Sequence, residues 1–323
     1  MKILCRVALA ALCLSFFARM PALAQVEYPS RPIRIVVGFT PGGGNDIIAR
    51  VFGQKLSESL GQPVIIENKP GAGAILATEY VARSAPDGYT LLVGASGAMT
   101  ISPAVYEKIN YDTMRDFKPV SSLGSFPLIL IVNAKSEFKS LADLVTYAKA
   151  NPDKTNYSSS SAAFQLATEL FKQKTGAPMQ MIPYKGANDS VTAVISGEVT
   201  ATIADAGPVI SQVNGGLARA LAVAAPTRAE SLPNVPTMKE AGADVEAVLW
   251  SGIFVPAATP PEIVRKLEAE FVRIARLPDV VARLKLLNID SVGNSSEEFS
   301  RIIAADLERW RAVARAGNIK IAQ

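Results

Sequence analysis

Thr40-Pro41-Gly42-Gly43-Gly44-Asn45-Asp46 follows an apolar run over 33–38 and opens a stretch with Ile47, Ile48, Val51, Phe52 and Leu56 at helical spacing. Strand, glycine turn and helix start are expected here, and such a junction suits the binding of an anion. Three consecutive glycines let the backbone take positive φ and keep side chains away from its N–H groups. The helix that follows adds unpaired N–H groups and the positive end of its dipole. A carboxylate or phosphate is stabilised at such a spot. The plainer alternative is a tight turn in which Asn45 or Asp46 caps the helix. Asp46 reads as an organiser of the loop, since its charge would repel a bound anion.

Other residues invite chemistry and mostly decline it. A Walker loop ends in Gly-Lys-Ser/Thr, whereas Gly44-Asn45-Asp46 carries no lysine, and a dinucleotide fingerprint spaces its glycines differently. Gly94-Ala95-Ser96-Gly97-Ala98 approaches the nucleophile elbow Gly-x-Ser-x-Gly without matching it. The chain has no histidine, so Ser96 lacks its usual base and reads as a hydrogen-bond donor. Ser136-Glu137-Phe138-Lys139 and Lys174-Thr175-Gly176 have the letters of penicillin-recognising enzymes. They lie too close together for that fold, and the second reads as a helix ending. Ser158-Ser159-Ser160-Ser161 precedes a helical stretch, as a second donor cluster or as a serine-rich turn with one cap. Asp205 follows an expected strand over 200–204, at an end that would face a cleft; a solvated loop aspartate is the alternative. Trp250 and Trp310 read as packing residues.

Composition narrows the choice. Lys2 and Arg6 precede an apolar run over 7–17, and Ala22-Leu23-Ala24 offers the small residues of a cleavage site. A secretory signal over 1–24, cut after Ala24, is expected; the run is too short to span a membrane. Cys5 and Cys13 both fall in that segment, leaving a mature protein without thiol or disulfide chemistry. Loss of Lys2, Arg6 and Arg19 takes the 33 basic residues to 30 against 29 acidic ones, a formal balance of +1 instead of +4. No basic stripe with interleaved aromatics occurs, so nucleic acid is not an expected partner. Without histidine or cysteine, transition-metal sites and Cys–His catalysis lose their usual ligands, and no cofactor or metal is expected.

The elements that must position these residues alternate. Strand 33–38, helix 45–60, strand 64–67, the glycine-rich loop 68–73, helix 74–83 and strand 89–93 repeat strand–loop–helix, as in a parallel sheet covered by helices. Loops at the carboxyl ends of such strands are where α/β proteins bind ligands. Residues 119–133 read as a crossing point: strand 120–123, a Gly124-Ser125-Phe126-Pro127 turn, then strand 128–132. A second series follows, with helix 141–150, a short strand ending at Tyr157, helix 162–174, strand 179–183, helix 188–196 and strands 200–204 and 220–224. A long strand over 245–255 looks like a return crossing, and helices over 261–276, 279–287 and 296–315 close the chain. The length suits two domains.

Phe39-Thr40-Pro41-Gly42-Gly43-Gly44-Asn45-Asp46-Ile47-Ile48-Ala49-Arg50, Glu67-Asn68-Lys69-Pro70-Gly71-Ala72-Gly73 and Pro86-Asp87-Gly88-Tyr89-Thr90-Leu91 resemble the opening of the tripartite tricarboxylate transporter solute-binding proteins, the Bug family. Pro183-Tyr184-Lys185-Gly186, Leu232-Pro233-Asn234-Val235-Pro236-Thr237 and Trp250-Ser251-Gly252 continue the match in order. The resemblance implies an α/β, two-lobed periplasmic-binding-protein (Venus-flytrap) fold, each lobe a mostly parallel sheet flanked by helices. One lobe would comprise 25–125 plus 250–323 and the other 126–249. It implies a monomeric periplasmic protein, not an enzyme, that captures a small carboxylate (a di- or tricarboxylate, amino acid or aromatic acid). The acid would pass to a membrane permease of two subunits. By position it implicates Thr40, Pro41, Gly42, Gly43, Asn45, Asp46, Ser96, Gly97, Ala98, Ser159, Ser160, Ser161, Ala162 and Asp205 in ligand binding. Two departures stand out: Gln165 occupies a place where many members have histidine, and Ala204-Asp205 replaces their Phe-Asp. An exported carboxylate sensor for a membrane receptor is the competing reading. An exported lyase or hydrolase with Asp46 or Asp205 as base is a third, and the lack of histidine and cysteine weighs against it.

Overall fold

The computed structural model describes residues 28–321, so the expected signal segment and its cut after Ala24 lie outside the described residues. β1 (Ile33–Val37), α1 (Gly44–Leu60), β2 (Val64–Asn68), a 3₁₀ turn (Ala72–Ala74), α2 (Ile75–Ala82) and β3 (Thr90–Ala95) form the first alternating series. A π-turn (Gly97–Ile101), α3 (Ser102–Val105) and α4 (Thr113–Asp116) lead into β4 (Phe117–Asn133). The second series is α5 (Leu141–Ala150), β5 (Asn156–Ser159), α6 (Ala162–Thr175), β6 (Gln180–Pro183), α7 (Ala187–Ser196), β7 (Ala201–Asp205), α8 (Ala206–Asn214) and β8 (Ala218–Val223). β9 (Val248–Pro256), α9 (Pro261–Ala275), α10 (Pro278–Lys285), β10 (Asp290–Ser291) and α11 (Ser296–Ala316) complete the chain.

Local chemistry accounts for most boundaries. Gly61 ends α1 with φ +67, and Gly176 ends α6 with φ +66, the left-handed geometry that glycine takes without a Cβ penalty. Ser140 and Asp143 form a reciprocal capping box at α5. Pro261 opens α9 at a position whose N–H has no intrahelical acceptor in any case.

The strands lie in the order β2-β1-β3-β9-β4-β7-β5-β6, with β8 and β10 also pairing to β4. β1 is parallel to β2 and β3, β5 is parallel to β6 and β7, and the long strands β4 and β9 run antiparallel to each other. β4 is one continuous strand of 17 residues, where a turn at Gly124-Ser125-Phe126-Pro127 was expected. Phe126 and Pro127 stay in register with Leu249 and Val248 of β9, and the irregularity is absorbed by register shifts between Pro119 and Ser121 and between Ser122 and Gly124. A proline at a strand position that lacks a ladder N–H partner does not break the strand. From Leu128 onward β4 changes partners, pairing with β7 and β8 instead of β9.

Three helical stretches were not expected, the short α4 (Thr113–Asp116) among them. α8 follows β7 directly, and its Ala206-Gly207-Pro208 start reads as a loop; proline in a first helical turn removes only an N–H that lacks a partner anyway. The chain past Ser96 likewise enters the π-turn and α3 instead of a glycine loop.

Buried clusters lie on both sides of the partner change. Val36, Leu92, Phe117, Phe254, Phe299 and Ile303 pack together. Leu128, Leu130 and Val132 face a second cluster that includes Tyr157, Leu166 and Phe171, while Ile129 and Ile131 face a third with Val194 and Val209. This half of β4 is buried on both faces, as an unbroken apolar run requires. α11 contributes to both sides: Phe299, Ile303 and Leu307 join the first cluster and Trp310, Val313 and Ala314 the second.

Candidate functional site

A crevice forms where neighbouring strands part to find different partners. In β4 that point is the step from Pro127, opposite Val248 of β9, to Leu128, opposite Asp205 of β7. A cavity of ≈ 400 Å³ lies there, walled by residues from α1, β3, β4, α6, β7 and β9.

The α1 side is the glycine turn. Gly42 has φ +87 and donates its N–H to Asp46 Oδ2 at 2.9 Å. Asp46 is buried (2 % exposed) and also accepts from Arg50 Nε at 2.9 Å and, through Oδ1, from Asn68 Nδ2 at 2.8 Å. Burial alone would raise its pKa; the hydrogen bonds from Arg50, Gly42 and Asn68 outweigh that and hold it below the usual carboxylate range. With every bond directed into the turn, Asp46 fixes the loop and does not line the cavity. Gly44 and Asn45, in the first turn of α1, do line it. Asn45 Oδ1 accepts from the hydroxyl of Ser251 on β9, which clamps the helix start to the central strand.

On the opposite wall Ser161 caps α6, its Oγ accepting the Phe164 N–H at 3.4 Å. Ser161, Ala162 and Ala163 border the cavity. Two helix N-termini, from different parts of the sheet, thus bring first-turn N–H groups to one space, and each favours negative charge. Ser96 and Gly97, after β3, border the cavity as well, together with Ser102, Tyr106 and Ser251, and Ser96 Oγ accepts the backbone N–H of Trp250 at 3.2 Å.

Asp205 ends β7 and also borders the cavity. Its Oδ1 is buried with no hydrogen-bond partner, and burial pushes the carboxyl above its ordinary range. Among the described residues it is the only charged side chain on the lining, with no lysine or arginine there.

Of the residues singled out in the sequence, Asn45, Ser96, Gly97, Ser161, Ala162 and Asp205 meet at this cavity. Thr40, Pro41, Gly42 and Gly43 are exposed on the turn beside it and are not on its lining. Ala98 is buried in the fold. Ser159 is turned inward, its hydroxyl donating to the Ser161 carbonyl at 3.1 Å, and neither Ser160 nor Gln165 reaches the cavity. This placement has one geometric cause. A helix start or tight turn exposes only part of its circumference to any one side, so a contiguous motif cannot line a cavity throughout.

The apolar walls escaped the sequence reading. Phe39, Ile101, Tyr106, Phe126, Leu249 and Trp250 lie on the lining. Trp250 does pack, edge-on to Phe299 with ring centroids 5.0 Å apart, and its indole N–H donates to Asp306 Oδ2 at 2.7 Å. The available signal was the register of the two long strands, which sets Phe126 opposite Leu249; their lengths alone hinted at it.

With this geometry in place, known proteins supply a context. A family model described as the tripartite tricarboxylate transporter family receptor matches residues 48–319. The chain is 36% identical over 298 residues to Protein BugT of Bordetella pertussis, with 91% of each chain covered. It is similar to the solved structure of R. palustris Rpa4515 with adipate, at 32% identity and a TM-score of 0.78, over 92% of this chain and 100% of that one. MatC (Rpa3494) from Rhodopseudomonas palustris with bound malate matches with a TM-score of 0.74 at 29% identity, over 88% of this chain and 99% of that one.

Proposed function

We propose that this chain, which belongs to the tripartite tricarboxylate transporter receptor family, is a periplasmic solute-binding protein that captures a small carboxylate between two lobes and delivers it to a membrane permease of two subunits. The observation that carries the reading is the convergence of the α1 and α6 N-termini on one cavity. Structural relatives with adipate and malate support the ligand class. We assign 25–125 plus 250–323 to one lobe and 126–249 to the other. The change of partners along β4 supports this boundary, with the end of α11 reaching across to the second lobe's core.

Energetics explain why two walls are needed. Micromolar affinity requires about 8 kcal/mol. One helix terminus supplies about 0.3–2 kcal/mol and a charge-assisted hydrogen bond about 1.5–3 kcal/mol. Neither wall suffices, so donors from both must act together, and closure of the lobes is coupled to capture. Nothing chemical need happen to the acid: among the described residues the lining offers amide and hydroxyl donors and a single carboxyl group.

The test is Asn45→Asp, which keeps shape and adds one negative charge beside the α1 terminus. Like charges about 4 Å apart repel by about 1–4 kcal/mol between bulk-water and near-surface screening. Calorimetry against a panel of mono-, di- and tricarboxylates and amino acids is expected to show a loss of roughly tenfold or more for the tightest acid. Equal affinity in the variant would remove the cavity from the account. Product formed at substoichiometric protein would replace capture with catalysis.

A further inference from the structure

We propose that Ser102, with Tyr106 beside it, is a specificity residue of the cavity. Their hydroxyls receive an oxygen-bearing group at the far end of the bound acid, so acids with such a group are taken in preference to acids that end in hydrocarbon. The inference rests on the reading that the cavity takes a carboxylate, and it adds what the other end of the ligand must offer.

The hydroxyls on the lining fall into two sets. Three have partners within the fold: Ser96 Oγ accepts the Trp250 N–H at 3.2 Å, Ser161 Oγ accepts the Phe164 N–H at 3.4 Å, and Ser251 donates to Asn45 Oδ1. The hydroxyls of Ser102 and Tyr106 border the same space and have no partner among the described residues. Both lie on the segment after β3, apart from the α1 and α6 starts, and so would meet a part of the ligand other than the carboxylate held there.

Neighbouring hydroxyls are turned into the fold. Thr100 Oγ1 donates to the Ser96 carbonyl at 2.9 Å, Tyr111 to the Ala98 carbonyl, and Thr113 Oγ1 to the Met99 carbonyl at 2.6 Å. Ser102 is held by its backbone instead: its N–H donates to the Gly97 carbonyl, and its carbonyl accepts the Tyr106 N–H at 3.0 Å. Ser102 is only 6 % exposed, yet its oxygen is not sealed in the interior, so the surface it keeps opens on the cavity it borders. Tyr106 packs against buried clusters on both sides of the partner change in β4. The two hydroxyls are therefore fixed in place before any ligand arrives.

A ligand that fills the cavity displaces the water that can serve these groups. A hydroxyl buried without a partner is then costly, whereas one that meets an oxygen atom is satisfied. Sites built in this way reject the analogue that lacks the polar group far more strongly than one that differs by a methylene. Among the described residues no lysine or arginine lies on the lining, so neutral dipoles must do this work. A hydroxyl, a carbonyl or a carboxylate can each pair with them.

The experiment is calorimetry on the wild type, Ser102→Ala and the double variant Ser102→Ala/Tyr106→Phe with three matched series. These are butanoate, 4-hydroxybutanoate and succinate; pentanoate, 4-oxopentanoate and glutarate; and hexanoate, 6-hydroxyhexanoate and adipate. In at least one series the wild type is expected to bind an acid with the far oxygen group at least tenfold tighter than the plain acid. Ser102→Ala should cut that ratio at least threefold, and the double variant should bring it below twofold. A wild type that shows no such preference, or a ratio unchanged by the substitutions, would overturn the proposal. So would a loss shared equally by every acid, which marks a structural role. Hexane-1,6-diol binding as tightly as adipate, or no binding by any acid, would instead defeat the carboxylate reading beneath it.

Discussion

Replacing Trp250 by Phe isolates one interaction that ties the cavity wall to α11. The phenyl ring retains the edge-on contact with Phe299, whose centroid lies 5.0 Å away. It deletes the indole N–H that donates to Asp306 Oδ2 at 2.7 Å. Asp306 is buried, and Arg309 Nη2 still donates to its Oδ1 at 2.7 Å. A hydrogen bond to a charged group is worth about 1.5–3 kcal/mol, and the smaller ring loses some packing besides, so a destabilisation of about 2–4 kcal/mol is expected. For a chain of this size that corresponds to a fall in Tm of about 3–6 °C. The penalty should depend on pH. Burial raises the Asp306 pKa above the ordinary carboxylate value, against the lowering influence of Arg309 and Trp250. The folded protein therefore binds the proton more tightly than the unfolded chain. The stability contributed by this group is fullest below the unfolded value and is lost as pH rises through the folded one. Removing the indole donor raises the folded value further, so the variant's deficit should be largest near pH 7.5 and should shrink near pH 4. Urea unfolding of both proteins at the two pH values provides the comparison. A deficit under 1 kcal/mol at pH 7.5, or one independent of pH, would refute the charged hydrogen bond as the source.

Asp46→Asn should destabilise by about 2–3 kcal/mol, because an amide cannot accept from Gly42, Arg50 and Asn68 together. Since the Asp46 pKa is lowered on folding, the wild type's advantage is present above the ordinary carboxylate range and should vanish as pH falls through the folded value, as acid titration of both proteins will report. Gly252→Ala would place a Cβ 2.4 Å from Cε1 and Cζ of Phe299 and 2.8 Å from the Ser121 carbonyl oxygen; overpacking of this kind costs about 1–3 kcal/mol or more, readable as a lower urea midpoint. Asp205→Asn in the ligand-free protein should raise Tm at pH 7.5, where the ionised carboxyl is penalised by burial. Because the folded pKa is the raised one, that gain should disappear below the ordinary carboxylate range, and an equal or lower Tm at pH 7.5 would count against the burial argument.

The sequence by itself determined the features that need only a few neighbouring residues. Helical spacing, glycine stops and serine caps placed α1, α5 and α6 to within a residue or two of their observed ends. The triple glycine marked an anion-friendly helix start, and the absence of histidine left Ser96 without its usual base. The tertiary structure alone decided which residues of each motif border the cavity: Asn45 but not Asp46, Ser161 but not Ser159 or Ser160. It also decided that β4 runs unbroken through Pro127 and changes partners there, which brings Phe126, Leu249 and Asp205 to one wall. The physical reason is range. A cap or a turn is settled by bonds between residues three or four apart, whereas a cavity is the space left between distant strands and helices, and its lining follows from how they pack.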